Sequence, residues 1–225
     1  MRAELSVIIP TLDAGPALPA CLAALFEGVQ AGLIREVILS DGGSRDETRA
    51  IAEAAGAVIV TGAPSRGGQL QRGVAVAGGA WLLVLHADTE LPEGWAGAVR
   101  ARMEQGGAAT FRLRFDAGGM AARLVAGWAN LRTVLFGLPY GDQALLVSQR
   151  DYEAAGGYED IPLMEDVALA RALKGRIALL PLSVTTSAAR YHREGWLRRG
   201  ARNLWLLARY LAGADPARLA ARYRR

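Results

Sequence analysis

Residues Ser65 to Thr89 read SRGGQLQRGVAVAGGAWLLVLHADT. The first part, SRGGQLQRGVAVAGG, is a glycine-rich turn running into a helix. The second, AWLLVLHAD, is a strand with no polar residue between Trp81 and Leu85. A helix that delivers the chain to a wholly apolar strand is one unit of a parallel α/β sheet, whose strands are covered on both faces. This strand ends on His86-Ala87-Asp88. Residues two apart on a strand point the same way, so His86 and Asp88 converge if strand geometry lasts that far. A metal, a phosphate or a proton is what such a pair can serve.

The same unit occurs twice upstream. ELSVIIP is a strand stopped by Pro10, followed by the helix pattern GPALPACLAALFEGVQAG. REVILSD is a second strand, and SRDETRAIAEAAG a second helix in which Ser44 and Glu47 have capping-box spacing. AVIVTG is a third strand. Three strand–helix units in a row predict an α/β fold: a mostly parallel, Rossmann-like sheet flanked by helices on both faces. Beyond Asp88 the rhythm loosens. Helix PEGWAGAVRARMEQG, strand AATFRLRF, amphipathic helix GGMAARLVAGWANLRTVLF and strand DQALLVSQ follow. EDVALARALKG is a helix, and RIALLP and SVTTSA are short strands. Two helices close the chain, EGWLRRGARNLWLLARYLAG and DPARLAARYRR, with Asp215-Pro216 starting the last.

With 225 residues, 52% hydrophobic and 21% charged, the chain has the makeup of one folded domain. Cys21 is the only cysteine, which rules out an internal disulfide and a thiolate zinc site and favours a reducing compartment. It lies in a small-residue helix pattern with no adjacent base, as a packed residue does. No signal peptide or spanning segment is apparent, and the expected location is cytoplasmic, extending to the inner face of the membrane. The net charge of +4 is uneven. From Arg190 to Arg225 there are ten Arg and two acids, a balance of +8, which leaves −4 for the first 189 residues. Few aromatics, no recognition motif and an acidic body argue against nucleic acid. The Trp/Leu faces of the basic tail suit packing on the sheet first, as for Trp205 and Leu206. Peripheral membrane contact comes next, and an oligomer interface after it.

Ligands of parallel α/β sheets bind beyond the carboxyl ends of the strands. Four polar groups fall there: Thr11 and Asp13; Asp41-Gly42-Gly43-Ser44; Ser65-Arg66-Gly67-Gly68-Gln69; and His86-Ala87-Asp88. Together they are expected to form one crevice. Asp41 suits a base or ribose, Arg66 a phosphate in forked geometry, and Asp88 a hard cation such as Mg²⁺ or Mn²⁺ on a diphosphate. Each alone is also an ordinary turn; four at one rim point to a nucleoside diphosphate.

LSVIIPTLDAG, ILSDGGSRDET, SRGGQLQRGVAVAGGAWLLVLHADT and GGYEDIPLMEDVALARAL, in that order, resemble the family 2 glycosyltransferases of GT-A fold. They look most like a short, single-domain bacterial subgroup with the LHADT form. The resemblance implies one domain over 1–225: a nucleotide-sugar half at 1–90, an acceptor half at 91–189 and a basic helical tail at 190–225. It implies that Pro10, Thr11, Leu12 and Asp13 line the base pocket, that Asp41 beside Gly42 bonds the base, and that Arg66 and Gln69 lie near ribose and phosphates. Asp88 corresponds to the last acid of an Asp-x-Asp metal motif, implying a Mn²⁺ or Mg²⁺ ligand. His86 stands at the motif's first position, a departure that leaves three roles open: scaffold or outer-sphere support first, then metal ligation or ribose contact.

The resemblance further implies that Asp166 is the general base on an acceptor hydroxyl (a sugar, a lipid or a small alcohol), with Glu165 orienting helix or acceptor. A carboxylate that takes the proton as the hydroxyl attacks opposite the departing diphosphate gives inversion. Without the resemblance the pair reads as acids favouring a helix N-terminus. Gly156-Gly157-Tyr158 would approach under the acceptor, and Asp142 would contact the acceptor or cap a turn. Arg190 and His192 would close on the diphosphate or sit in solvent, and Tyr140 and Trp128 read as packing. Two rivals are a nucleotidyltransferase, which would attack an α-phosphate and release pyrophosphate, and a non-catalytic nucleotide-sugar module.

Overall fold

The computed structural model describes residues 3–173 and 177–223. Strand β1 (Leu5–Thr11) sends Leu5, Val7 and Ile9 into one core and Ile8 into a second. Burial on both faces is why its sequence is one apolar run instead of an alternation. Parallel to it lie β2 (Ile34–Asp41) on one side and β4 (Trp81–Val84) on the other, with β3 (Val58–Thr61) parallel to β2. Helices α1 (Leu18–Ala24), α2 (Phe26–Gln30), α3 (Thr48–Ala54) and α4 (Arg66–Ala75) make the crossovers.

The later chain adds β5 (Thr89–Glu90), α5 (Trp95–Gln105), β6 (Ala109–Phe115) and α6 (Met120–Phe136). It continues with β7 (Leu145–Ser148), α7 (Gln149–Ala154), α8 (Glu165–Ala172) and β8 (Ala178–Thr186), and ends with α9 (Ala189–Glu194), α10 (Trp196–Leu211) and α11 (Pro216–Tyr223). Among the described residues eight strands form one sheet, in the order β3-β2-β1-β4-β7-β6-β8-β5. β7 runs antiparallel to both β4 and β6, so β6 and its parallel neighbour β8 point the same way as β4. That double reversal brings the carboxyl ends of β6 and β8, and the segment entering β7, to the rim where β1, β2 and β4 end. Among the described residues no helix is long and apolar enough to cross a membrane.

Several local expectations change. The strand read as AWLLVLHAD stops at Val84; Leu85 donates one last bond to the Ile8 carbonyl, and His86 and Asp88 sit on the loop beyond. The first helix pattern breaks at Leu25 into α1 and α2. The capping box of Ser44 and Glu47 does not form: α3 begins at Thr48, and the Ser44 hydroxyl bonds Asp41 and the Asp13 amide. RIALLP and SVTTSA merge into β8, whose register on β6 shifts between Leu179 and Ser183, around Pro181. Proline cannot donate to a ladder, so the irregularity falls where the donor is missing. The parts of EDVALARALKG and RIALLP at 174–176 lie outside the described residues.

Cys21 is buried, its thiol pushed up to about 12 by burial and then by the Asp88 and Glu90 charges, as fits a packing role. Trp128 is not a packing residue: it is 44% exposed on α6. Leu206 packs in the core, but its neighbour Trp205 is 42% exposed.

Candidate active site

A cavity of about 110 Å³ opens on the rim where the strands end. Arg66, His86 and Asp88 form its wall on the β1–β4 side, and Phe115, Thr186 and Ser187 line it at the ends of β6 and β8. Tyr140, Gly141 and Asp142 contribute from the segment entering β7, with Leu163, Met164 and Asp166 at the start of α8. The C-terminal helices supply Arg190, Tyr191, Arg199, Asn203, Leu206 and Tyr223.

Arg66 is the first residue of α4, and its position depends on two glycines. A Cβ on Gly67 would collide with the Glu159 carbonyl, and one on Gly68 would stand 2.7 Å from Asp160 Oδ1. Gly67 N donates to the Ile161 carbonyl (3.2 Å), and the Ser65 hydroxyl bonds Asp160. The RGG motif is therefore a close approach between α4 and the segment before α8. Arg66 Nε then lies 3.4 Å from Glu165 Oε1, with Arg66 39% exposed and Glu165 only 2%. Burial pushes the Glu165 carboxyl up to about 7, against the pull of Arg66, and its second oxygen has no partner. Glu165 itself does not line the cavity; it holds the guanidinium that does.

His86 Nε2 lies 3.4 Å from Arg66 Nη2, and a Cβ on Gly141 would collide with the same nitrogen. Burial, and then the Arg66 charge, push the imidazole down to about 4, so it is neutral at neutral pH. A guanidinium can only donate, which assigns the ring proton to Nδ1 and leaves Nε2 to accept.

Asp166 accepts from the Gly141 amide through Oδ2 (2.7 Å) and from the Val167 amide through Oδ1 (2.7 Å). Met164, in the left-handed region at φ 70°, caps the start of α8 and turns the Glu165-Asp166 pair toward the rim. A non-glycine residue there carries strain of roughly 1 kcal/mol or more, of the kind found at sites the surroundings over-determine. Asp142 is recessed with one oxygen unpartnered, and burial, opposed by Arg132, raises its carboxyl to about 6.

The first two rim groups form a separate cluster outside the cavity. Asp41 is 1% exposed and accepts from the Thr11 and Ser44 hydroxyls, the Gly43 and Ser44 amides and Arg49 Nε. Burial alone would raise this carboxyl, but those donors hold it below its ordinary value. Gln69 is buried and donates to the Thr11 and Ser40 carbonyls (2.7 and 2.9 Å), with Gly42 pressed against its amide. Asp13, at φ 48°, accepts from the Arg45 amide, while Leu12 is 51% exposed and Pro10 partly so. Ala87 is buried in a core.

Of the residues singled out in the sequence, the cavity gathers Arg66, His86, Asp88, Asp166 and Arg190, and also Asp142. His192 is exposed, its ring edge-on to Trp196, and does not reach it. Gly156 and Gly157 have φ of 84° and 70°, and Gly157 abuts Tyr152, so they shape a turn instead of flooring the cavity. Tyr140 lines the cavity, with the Arg132 guanidinium 3.4 Å from its ring centre. Thr186, Ser187, Arg199, Asn203 and Tyr223 escaped the sequence reading. Only the ends of β6 and β8 carried a signal, through the rule that strand ends make sites.

The Glycosyl transferase family 2 model matches residues 6–127. A TPR repeat-containing protein of Synechococcus elongatus is 34% identical over 158 residues, 66% of this chain and 38% of that protein. A PGL/p-HBAD biosynthesis glycosyltransferase of Mycobacterium bovis is 39% identical over 102 residues, 39% of this chain and 36% of that protein. The chain thus spans less than two-fifths of these curated relatives. Among solved structures, a mannosyltransferase of Pyrobaculum calidifontis in complex with GDP-Man and Mn²⁺ superposes with a TM-score of 0.68 at 18% identity, over 96% of this chain and 66% of that one. Glucosyl-3-phosphoglycerate synthase of Mycobacterium tuberculosis, in complex with Mn²⁺, UDP and glucosyl-3-phosphoglycerate, gives 0.54 at 21%, over 80% and 70%. At such identities the likeness is one of fold. The family match covers more than half of the sequence and the whole β1–β4 rim, and on that ground the chain belongs to glycosyl transferase family 2.

Proposed function

We propose that the chain transfers a sugar from a nucleoside-diphosphate sugar to an acceptor hydroxyl, inverting the anomeric centre with a divalent metal bound at Asp88. The observation that carries this is the meeting of Arg66, Arg190, Asp88, Asp142 and Asp166 in one cavity at the strand ends.

The donor set fits a metal of one kind. Among the described residues no group of three or more His, Cys, Asp or Glu side chains stands ready to hold an ion. A single hard carboxylate, with diphosphate oxygens and water making up the rest, is a donor set Mg²⁺ and Mn²⁺ accept. Asp88 would hold the ion, which when bound would neutralise charge on the departing diphosphate. The Pyrobaculum and Mycobacterium structures, solved with Mn²⁺, lend support to that choice.

The chain's own residues then divide the work. Arg66 and Arg190 receive the diphosphate and stabilise its growing charge. Asp166, its two oxygens fixed by the Gly141 and Val167 amides, keeps lone pairs free to take the acceptor proton. Asp142 meets the acceptor with its unpartnered oxygen. His86 acts as scaffold, because its Nε2 is turned to Arg66, and Glu165 holds the same guanidinium from the other side. The Thr11–Asp41–Gln69 cluster shapes the base pocket from below, leaving the exposed Leu12 for the base to lie against.

The test is a screen of UDP-, GDP- and dTDP-sugars for diphosphate release and glycoside formation, with Mg²⁺ and with Mn²⁺. One donor should turn over with metal, and Asp88→Ala should lose that turnover while melting like the parent. Pyrophosphate release from a nucleoside triphosphate, or full metal-dependent turnover by the Asp88 variant, would overturn the reading.

A further inference from the structure

Helix α6 is turned inside out. Its buried face is Ala122, Ala126 and Ala129 with Arg132 and Thr133, while Met120, Leu124, Trp128, Leu131, Leu135 and Phe136 look outward, 44% to 73% exposed. A surface helix ordinarily buries its large apolar residues and shows its small or polar ones. Alongside, α10 packs on α6 where Gly200 faces Val125. It presents Leu197, Leu204 and Leu211 at intervals of seven, so they share one outer stripe, 44% to 81% exposed. Contiguous exposed apolar surface on this scale marks a binding face.

Its charge says what it binds. Helices α6, α10 and α11 contain no acidic residue, and Arg123, Arg198, Arg209, Arg218 and Arg222 are all exposed. We propose that the α6–α10 face docks on the surface of an anionic lipid bilayer. Leucine, tryptophan and phenylalanine side chains enter the headgroup–acyl boundary while arginines meet lipid phosphates, and the two attractions add. A second copy of the chain is the poorer occupant, because a two-fold contact would set these arginines against their own counterparts. The inner side of α10 carries Arg199, Asn203 and Leu206, which line the cavity. Docking on its outer side thus brings the cavity wall to within about one helix diameter, ~10 Å, of the lipid.

The whole chain is floated with phosphatidylcholine vesicles, and with vesicles containing phosphatidylglycerol, at low and high salt. Binding to the anionic vesicles is expected, weakened by salt, and at least about tenfold weaker for the double variant L124E/W128E. Circular dichroism should show that variant folded, since both side chains point to solvent. Three results would each overturn the proposal. The parent fails to bind anionic vesicles; or the double variant binds as well as the parent; or sedimentation shows a dimer that the same substitutions dissociate. Vesicle binding is read without any sugar donor, so its outcome is separate from that of the transferase assay.

Discussion

Asp166 and Asp142 both line the cavity, and the backbone N–H donors around them differ. Asp166 has an amide on each oxygen, whereas Asp142 has an oxygen with no partner and a carboxyl raised to about 6 by burial. Replacing Asp166 with Asn keeps the shape and removes the basicity. Single-turnover assays should show donor binding retained and transfer slowed about 10²- to 10⁴-fold, the usual worth of a positioned base. Near-normal transfer would remove Asp166 from the chemistry. Asp142→Asn acts on stability as well. An Asp near 3.9 unfolded and about 6 folded is penalised when ionised in the native state. The penalty is full above pH 6, shrinks as pH falls through 6 and is gone below about 4. Thermal melts should therefore show the Asn variant more stable at pH 8, by about 1–3 kcal/mol, with the gain fading toward pH 4. A gain independent of pH would show that burial of the Asp142 charge is not the cause.

At the scale of elements, strands and helices were legible where burial imposed a clear period. β1 and β4 read plainly because both of their faces are covered, and α10 because its Leu and Arg residues segregate. Helices α7 and α9 were missed: each spans six residues, too short for a periodic signal. The overlong reading of β4 has a physical source too, since Leu85 and Ala87 stay buried after the ladder ends. Ser44 read as a cap because the motif is local, but the Asp41 carboxylate, fixed by tertiary structure, claims its hydroxyl. The α4 contact with the segment before α8 was legible only as a glycine pair, because its partner, the Glu159 carbonyl, is remote in sequence. Gly67→Ala should cost about 1–3 kcal/mol through forced separation of that contact, measured by urea unfolding. Gly118→Ala, where added volume meets nothing, is the control and should show no such loss.

The whole molecule brings together what the sequence holds apart. Rim residues of the first half were recognisable because parallel topology sends every strand end to one side. Arg199, Asn203 and Tyr223 were not, since they reach the cavity from helices that read as packing or surface. Position in the fold, not residue type, made them part of the site. The Arg66–Glu165 pair shows a further result of that assembly. Arg66 opens α4 in the first half of the chain, and Glu165 opens α8 in the second, immediately before Asp166. A diphosphate that takes up the Arg66 charge weakens its hold on Glu165, whose carboxyl already stands at about 7. Glu165 then takes up part of a proton, at most about half of one at pH 7, because its carboxyl is already about half protonated there. Donor titrations in buffers of different ionisation enthalpy should show that uptake in the parent and its loss in Glu165→Gln. On the proposed reading, a donor at Arg66 would thus change the charge of Glu165, which lies behind the cavity wall beside Asp166.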